Sequence, residues 1–88
     1  MVRYKLYFTK HANEDALKLK NAGLKRKTQE LLYILSVNPF QNPPPYEKLL
    51  GDLNGIYSRR INIKHRLVYQ VFKDNLAVKI LRMWSHYE

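Results

Sequence analysis

The chain contains no cysteine. That excludes disulfide staples, thiolate metal sites and a cysteine nucleophile. Glycine is scarce, at three residues, and none stands in a glycine-rich loop of the kind that cradles phosphates. Serine is rare, and none sits in a nucleophile elbow. Three histidines and seven acidic residues are scattered without metal-ligand spacing. The longest apolar run, Leu31 to Leu35, is far too short for a bilayer, which takes roughly 20 residues. The start, Met1 to Phe8, alternates charged and apolar residues where a secretory signal needs a continuous apolar stretch. These absences predict a cytoplasmic protein that neither enters a membrane nor carries a cofactor.

What is present is compact and basic. Eighty-eight residues leave room for one core, so residues 1–88 are expected to form one domain. Sixteen lysines and arginines oppose the seven acids, for a formal net charge of +9. On so small a surface this charge attracts polyanions and makes association steeply salt-dependent. Charge alone does not separate RNA from DNA, membrane or acidic protein.

Hydrophobic spacing predicts the elements. Residues 3–8 alternate as a strand, with Tyr4, Leu6 and Phe8 on one face. Thr9 is placed to cap a helix over 10–20, with Glu14 and Asp15 near its positive end. Ala12, Ala16 and Leu19 share one side of that helix, with Leu17 beside them. After a break at Asn21-Ala22-Gly23, Leu24, Thr28, Leu31, Leu32 and Leu35 recur at helical spacing over 24–37. Pro39 ends this helix, and three consecutive prolines stiffen a loop over 38–46. A turn or helical piece, Glu47 to Leu53, leads to a tight Asn54-Gly55 turn with positive φ. Strands follow at 56–63, 66–72 and 76–84, the last two joined at Lys73-Asp74-Asn75. In the middle strand Leu67, Tyr69 and Val71 share a face; in the last, Leu76, Val78, Ile80, Arg82 and Trp84 do. The expected architecture is α+β: β-α-α-β-β-β, an antiparallel sheet with two helices on one face and the other face free to bind.

Four features bear chemistry: Glu47 after the prolines, Arg59-Arg60 within a strand, His65-Arg66 opening the next, and His86-Tyr87 near the end. Arginines beside a carboxylate and an imidazole make a plausible phosphodiester site. RNA can be cut when its own 2′-hydroxyl attacks the adjacent phosphorus. A base must take the 2′ proton, an acid must protonate the departing 5′ oxygen, and cations must stabilise the phosphorane. Arg59 and Arg60 alternate to opposite faces, so one of them at most joins a single site. Taken singly, each residue has an ordinary reading as a surface charge or packing group. Trp84 and Tyr57 read as packing residues rather than base-stacking platforms.

The combination is more specific than its parts. Leu53 to Asn62, then His65-Arg66-Leu67-Val68-Tyr69, then His86-Tyr87, resemble the signature of the YoeB/Txe toxins within the wider RelE/ParE group. The resemblance runs through the Pro39-Phe40 loop and both helices. It implies a toxin that cuts messenger RNA at the ribosomal A site, an antitoxin partner that wraps and neutralises it, and a capacity to dimerise. It also implies Glu47 as general base, Arg66 as phosphate and transition-state clamp, and His86 as general acid. Arg60 would be a phosphate ligand and Tyr87 would help position the C-terminal site; Arg59 and Lys48 are further candidates for substrate binding. Family members often carry a lysine where this chain has Leu50, and Lys48 is the neighbouring cation. The last hairpin is about two residues longer than the family pattern, and Glu88 follows the His-Tyr pair. Two other readings compete: a ParE-like toxin that binds gyrase, and an RNA-binding module without activity.

Overall fold

The computed structural model describes residues 3–49 and 55–84. Asn54, Leu50, His86, Tyr87 and Glu88 lie outside the described residues. The elements are β1 (Lys5–Phe8), α1 (Lys10–Asn21), α2 (Lys25–Val37), β2 (Glu47–Lys48), β3 (Ile56–Arg60), β4 (Arg66–Phe72) and β5 (Ala77–Arg82). Thr9 caps α1 as expected: its hydroxyl accepts the Ala12 N–H at 3.0 Å and donates to the Leu81 carbonyl at 2.9 Å. Gly23, at φ +78°, turns the chain between the helices in a conformation that side chains resist. Gly55 has the positive φ (+70°) expected of the turn before β3.

Among the described residues the sheet has five strands in the order β1-β5-β4-β3-β2. Two points correct the expected antiparallel sheet. β1 runs parallel to β5, Lys5 opposite Ala77 through Phe8 opposite Ile80, so the sheet is mixed. The helical pair carries the chain from β1 to β2 at the opposite edge, and β3 and β4 step back to β5; parallel neighbours require such a long connection. Glu47 and Lys48 are not helical; they pair antiparallel with Ser58 and Tyr57 as β2. A two-residue strand shows no periodicity in sequence. It forms because the prolines end just before it and the edge of β3 offers backbone partners.

The helices cover one sheet face. Leu19, Leu31 and Leu35 meet Leu67, Tyr69, Val71, Val78 and Ile80 in the core. Three places depart from simple patterning. Leu76 sits in the hairpin turn at φ 50° and is 39% exposed, so it does not extend the core row of β5. A bulge shifts the β4–β5 register, with Val68 opposite Arg82 but Tyr69 opposite Ile80. The extra residue resets the alternation, and Met83 rather than Arg82 is buried, at 1% exposure. In α1 Asp15 is buried where Ala16 was expected, and Leu17 is exposed. The Asp15 carboxylate accepts the Met83 N–H and the Arg82 Nε–H, each at 2.9 Å. It thus ties α1 to the end of β5 and satisfies a backbone donor just past that strand.

Candidate functional site

The other sheet face carries the candidate site. Cross-strand partners share a face, so pairing of Glu47 with Ser58, Ser58 with Val68, and Arg60 with Arg66 places these side chains together. Contacts agree: Arg66 Nη1 donates to Glu47 Oε1 and to Ser58 Oγ, both at 3.2 Å. A cavity of about 300 Å³ lies here, lined by Pro45, Tyr46, Glu47, Ser58, Arg60 and Arg66. Its size suits a phosphate and a sugar.

The electrostatics are unusual for a structural feature. The Glu47–Arg66 pair is open to solvent, with side-chain exposures of 68% and 25%. Such a pair contributes on the order of 0–1 kcal/mol, so the fold gains little from it. Arg60 and Arg66 stand directly opposite one another on adjacent strands. Like charges in that position destabilise a sheet. An anion seated between them would relieve the repulsion.

Of the predicted residues, Glu47, Arg60 and Arg66 come together and two others do not. Lys48 is exposed, faces Tyr57 across the strand pair and is not among the cavity residues. Arg59 lies on the helix side, 1% exposed. It donates to the Pro39 carbonyl (2.9 Å), the Gln41 carbonyl (2.8 Å), the Pro44 carbonyl and the Tyr69 hydroxyl (3.1 Å). Its guanidinium also lies 4.9 Å from the centroid of the Tyr46 ring. Prolines have no N–H to donate to a ladder, so this loop does not pair as a strand; the rigid five-donor fork of an arginine meets its carbonyls instead. Arg59 therefore fastens the loop that delivers Glu47, and substrate contact is not its place. His86 and Tyr87 lie outside the described residues. His65, the neighbour of Arg66, is 7% exposed and stacks on Trp84 with ring centroids 4.0 Å apart.

Sequence reasoning missed Ser58 and Tyr46. Ser58 stands two residues before Arg60, so strand alternation alone puts it on the same face. Tyr46 gave no comparable signal, because its place depends on an edge-on cluster with Tyr57 (5.7 Å) and Phe40 (6.3 Å). Beneath them Tyr69 is fully buried, and desolvation pushes its hydroxyl up to about 12, with the nearby Arg59 pulling the other way.

Comparison with known proteins bears on what this face does. Residues 8–87 match the YoeB-like toxin of bacterial type II toxin-antitoxin systems. Toxin YoeB of Streptomyces coelicolor is 34% identical over 76 residues, covering 84% of this chain and 90% of that one. Among solved structures, a YoeB/ParE toxin from Agrobacterium tumefaciens is 29% identical and superimposes with a TM-score of 0.83, over 94% of this chain and 99% of that one. The YoeB of Staphylococcus aureus, 36% identical, is known both in complex with YefM (TM-score 0.78) and as a dimer (0.75). Each covers 97% of this chain and 99% of its own.

Proposed function

Because the chain belongs to the YoeB-like toxins of bacterial type II toxin-antitoxin systems, we propose that it arrests growth by cutting messenger RNA in the A site of the ribosome. The observation that carries this reading is the pairing of Arg60 with Arg66 beside the Glu47 carboxylate in one open cavity. Two opposed cations beside a carboxylate suit a reaction that begins on a phosphodiester and builds charge on it.

In the proposed reaction Glu47 removes the proton from a ribose 2′-hydroxyl. The 2′ oxygen attacks phosphorus, and the bond to the 5′ oxygen breaks, leaving a 2′,3′-cyclic phosphate and a free 5′-hydroxyl. Arg66 and Arg60 hold the non-bridging oxygens and stabilise the added negative charge as the phosphorane forms. The Arg66 guanidinium spans Glu47 and Ser58, so it orients the base as well as the phosphate. His86, two residues beyond the stacked Trp84 in sequence, donates the proton to the leaving oxygen, and Tyr87 positions that end of the site. Each proton transfer supplies roughly 10²–10⁴-fold. A cognate antitoxin, as in the staphylococcal complex, neutralises the toxin, and self-association parallels the staphylococcal dimer.

The test is cleavage of a translated message by purified protein, with and without ribosomes. Glu47→Gln, Arg66→Ala and His86→Ala are expected to keep their circular dichroism and to lose cleavage. Normal cutting by all three would remove the assignment. Growth arrest with DNA damage and intact messages would favour gyrase poisoning instead.

A further inference from the structure

The outer sheet face continues well past the cavity. Lys5 pairs with Ala77 and Tyr7 with Lys79; Ala77 pairs in turn with Phe72 and Lys79 with Gln70. All therefore share the face of Arg60 and Arg66. Ala77 is the small residue among them, and over it opens a hollow of about 460 Å³ lined by Tyr7, Phe72, Asn75, Ala77 and Lys79. Tyr7 is 50% exposed and Phe72 40%. Their strands stand two spacings apart, roughly 10 Å, with the alanine as floor between them. The Lys5 ammonium lies 6.0 Å from the centre of the Tyr7 ring. Among the described residues the lining holds a cation and an amide but no carboxylate.

We propose that this hollow is a base-stacking subsite for single-stranded RNA, used by the same strand that enters the cavity. A base stacks on Tyr7 and Phe72, the Asn75 amide meets its polar edge, and Lys5 and Lys79 face the adjoining phosphates. Stacking platforms flanked by cations are how sequence-tolerant proteins hold single strands. Phe72 is six residues from Arg66 along β4, roughly 20 Å at strand rise. The stacked base is thus several nucleotides from the scissile bond. Charge decides between RNA and a second copy of this chain. A self-complementary contact across this patch would oppose Lys5 and Lys79 to their own images, whereas a polyanion neutralises them. The proposal rests on the RNA-cleaving reading of the cavity.

The test compares binding of uncleavable 2′-O-methyl RNA, a trinucleotide against an oligonucleotide of about twelve residues, within the length range such surfaces bind, by fluorescence anisotropy. The double variant Tyr7→Ala/Phe72→Ala is expected to bind the longer RNA at least about tenfold more weakly, as lost stacking requires, and the trinucleotide unchanged. Tyr7→Phe is expected to bind as the parent does. Both side chains are substantially exposed, so melting should hold; the single variants serve if the double does not fold. Parental affinity for the long RNA overturns the proposal, as does an equal loss for both lengths. So does a double variant that changes only sedimentation, which would mark a self-association face. Cleavage by the parent is assayed separately, so failure of the cavity reading shows as absent cutting while the length-dependent binding still reports on the subsite.

Discussion

Replacing Arg59 with methionine isolates the link between the buried clamp and the exposed site. The side chain is 1% exposed, and its donors serve three loop carbonyls and the Tyr69 hydroxyl. Methionine fills much of the volume and donates nothing. The Pro39 carbonyl keeps one donor, the Tyr69 hydroxyl at 3.2 Å, while the Gln41 and Pro44 carbonyls lose the guanidinium. These two bonds are part-buried, and each acceptor left without its donor costs up to about 1–3 kcal/mol. Relief from burying a charge offsets part of this, leaving a net cost of about 3 kcal/mol. For a domain of this size that lowers the melting temperature by roughly 10–25 °C. Arg59→Lys should recover little, because one ammonium cannot replace a planar fork. Arg60→Ala, on the exposed face of the same strand, should stay within about 0.5 kcal/mol of the parent. Thermal unfolding followed by circular dichroism reads all three. Were Arg59→Met to melt within two or three degrees of the parent, taken as roughly the limit of a surface substitution, the clamp would be refuted and with it the explanation of how Glu47 is held.

Three further outcomes follow from the same geometry. Tyr69 titrates at about 12 in the fold against 10.0 in an unfolded chain. The unfolded state therefore loses its proton first, and stability contributed by the protonated hydroxyl is full below pH 10 and declines between pH 10 and 12. Urea titrations should show a loss of about 2–3 kcal/mol across that window, and Tyr69→Phe should flatten it; an unchanged slope would contradict the burial argument. Asp15→Ala strands the Met83 N–H and should cost about 2–3 kcal/mol, whereas Asp15→Asn, which keeps an acceptor oxygen, should cost less; equal melting of the two would deny that hydrogen bond its role. RNA affinity should drop steeply as salt rises, and Arg60→Ala should reduce the log–log slope by about one, a change absent if Arg60 never meets a phosphate.

Much of this was legible from residue order. Helix periodicity, the Thr9 cap and the break at Gly23 are local signals and matched the observed helices closely. The face shared by Glu47, Ser58, Arg60 and Arg66 follows from alternation once β2 is seen, but β2 is two residues long and exists only through its partner. The parallel partner of β1 and the bulge before Arg82 are tertiary choices with no local signature. Arg59 shows the limit most clearly. Adjacent arginines look alike in sequence, yet one is solvent-facing and the other answers backbone carbonyls fifteen to twenty residues away. Only the path of the proline loop separates them.

The identity of the nucleophile is the most direct test of the proposed cleavage. A translated message carrying a single 2′-deoxy nucleotide just upstream of the cleaved bond removes the attacking oxygen and leaves the phosphate contacts of Arg60 and Arg66 intact. Primer extension should show that the parent protein no longer cuts there, while the all-ribose message yields a 2′,3′-cyclic phosphate. Cutting of the deoxy message at the ordinary rate would mean that water attacks the phosphorus, and the role given to Glu47 would be wrong.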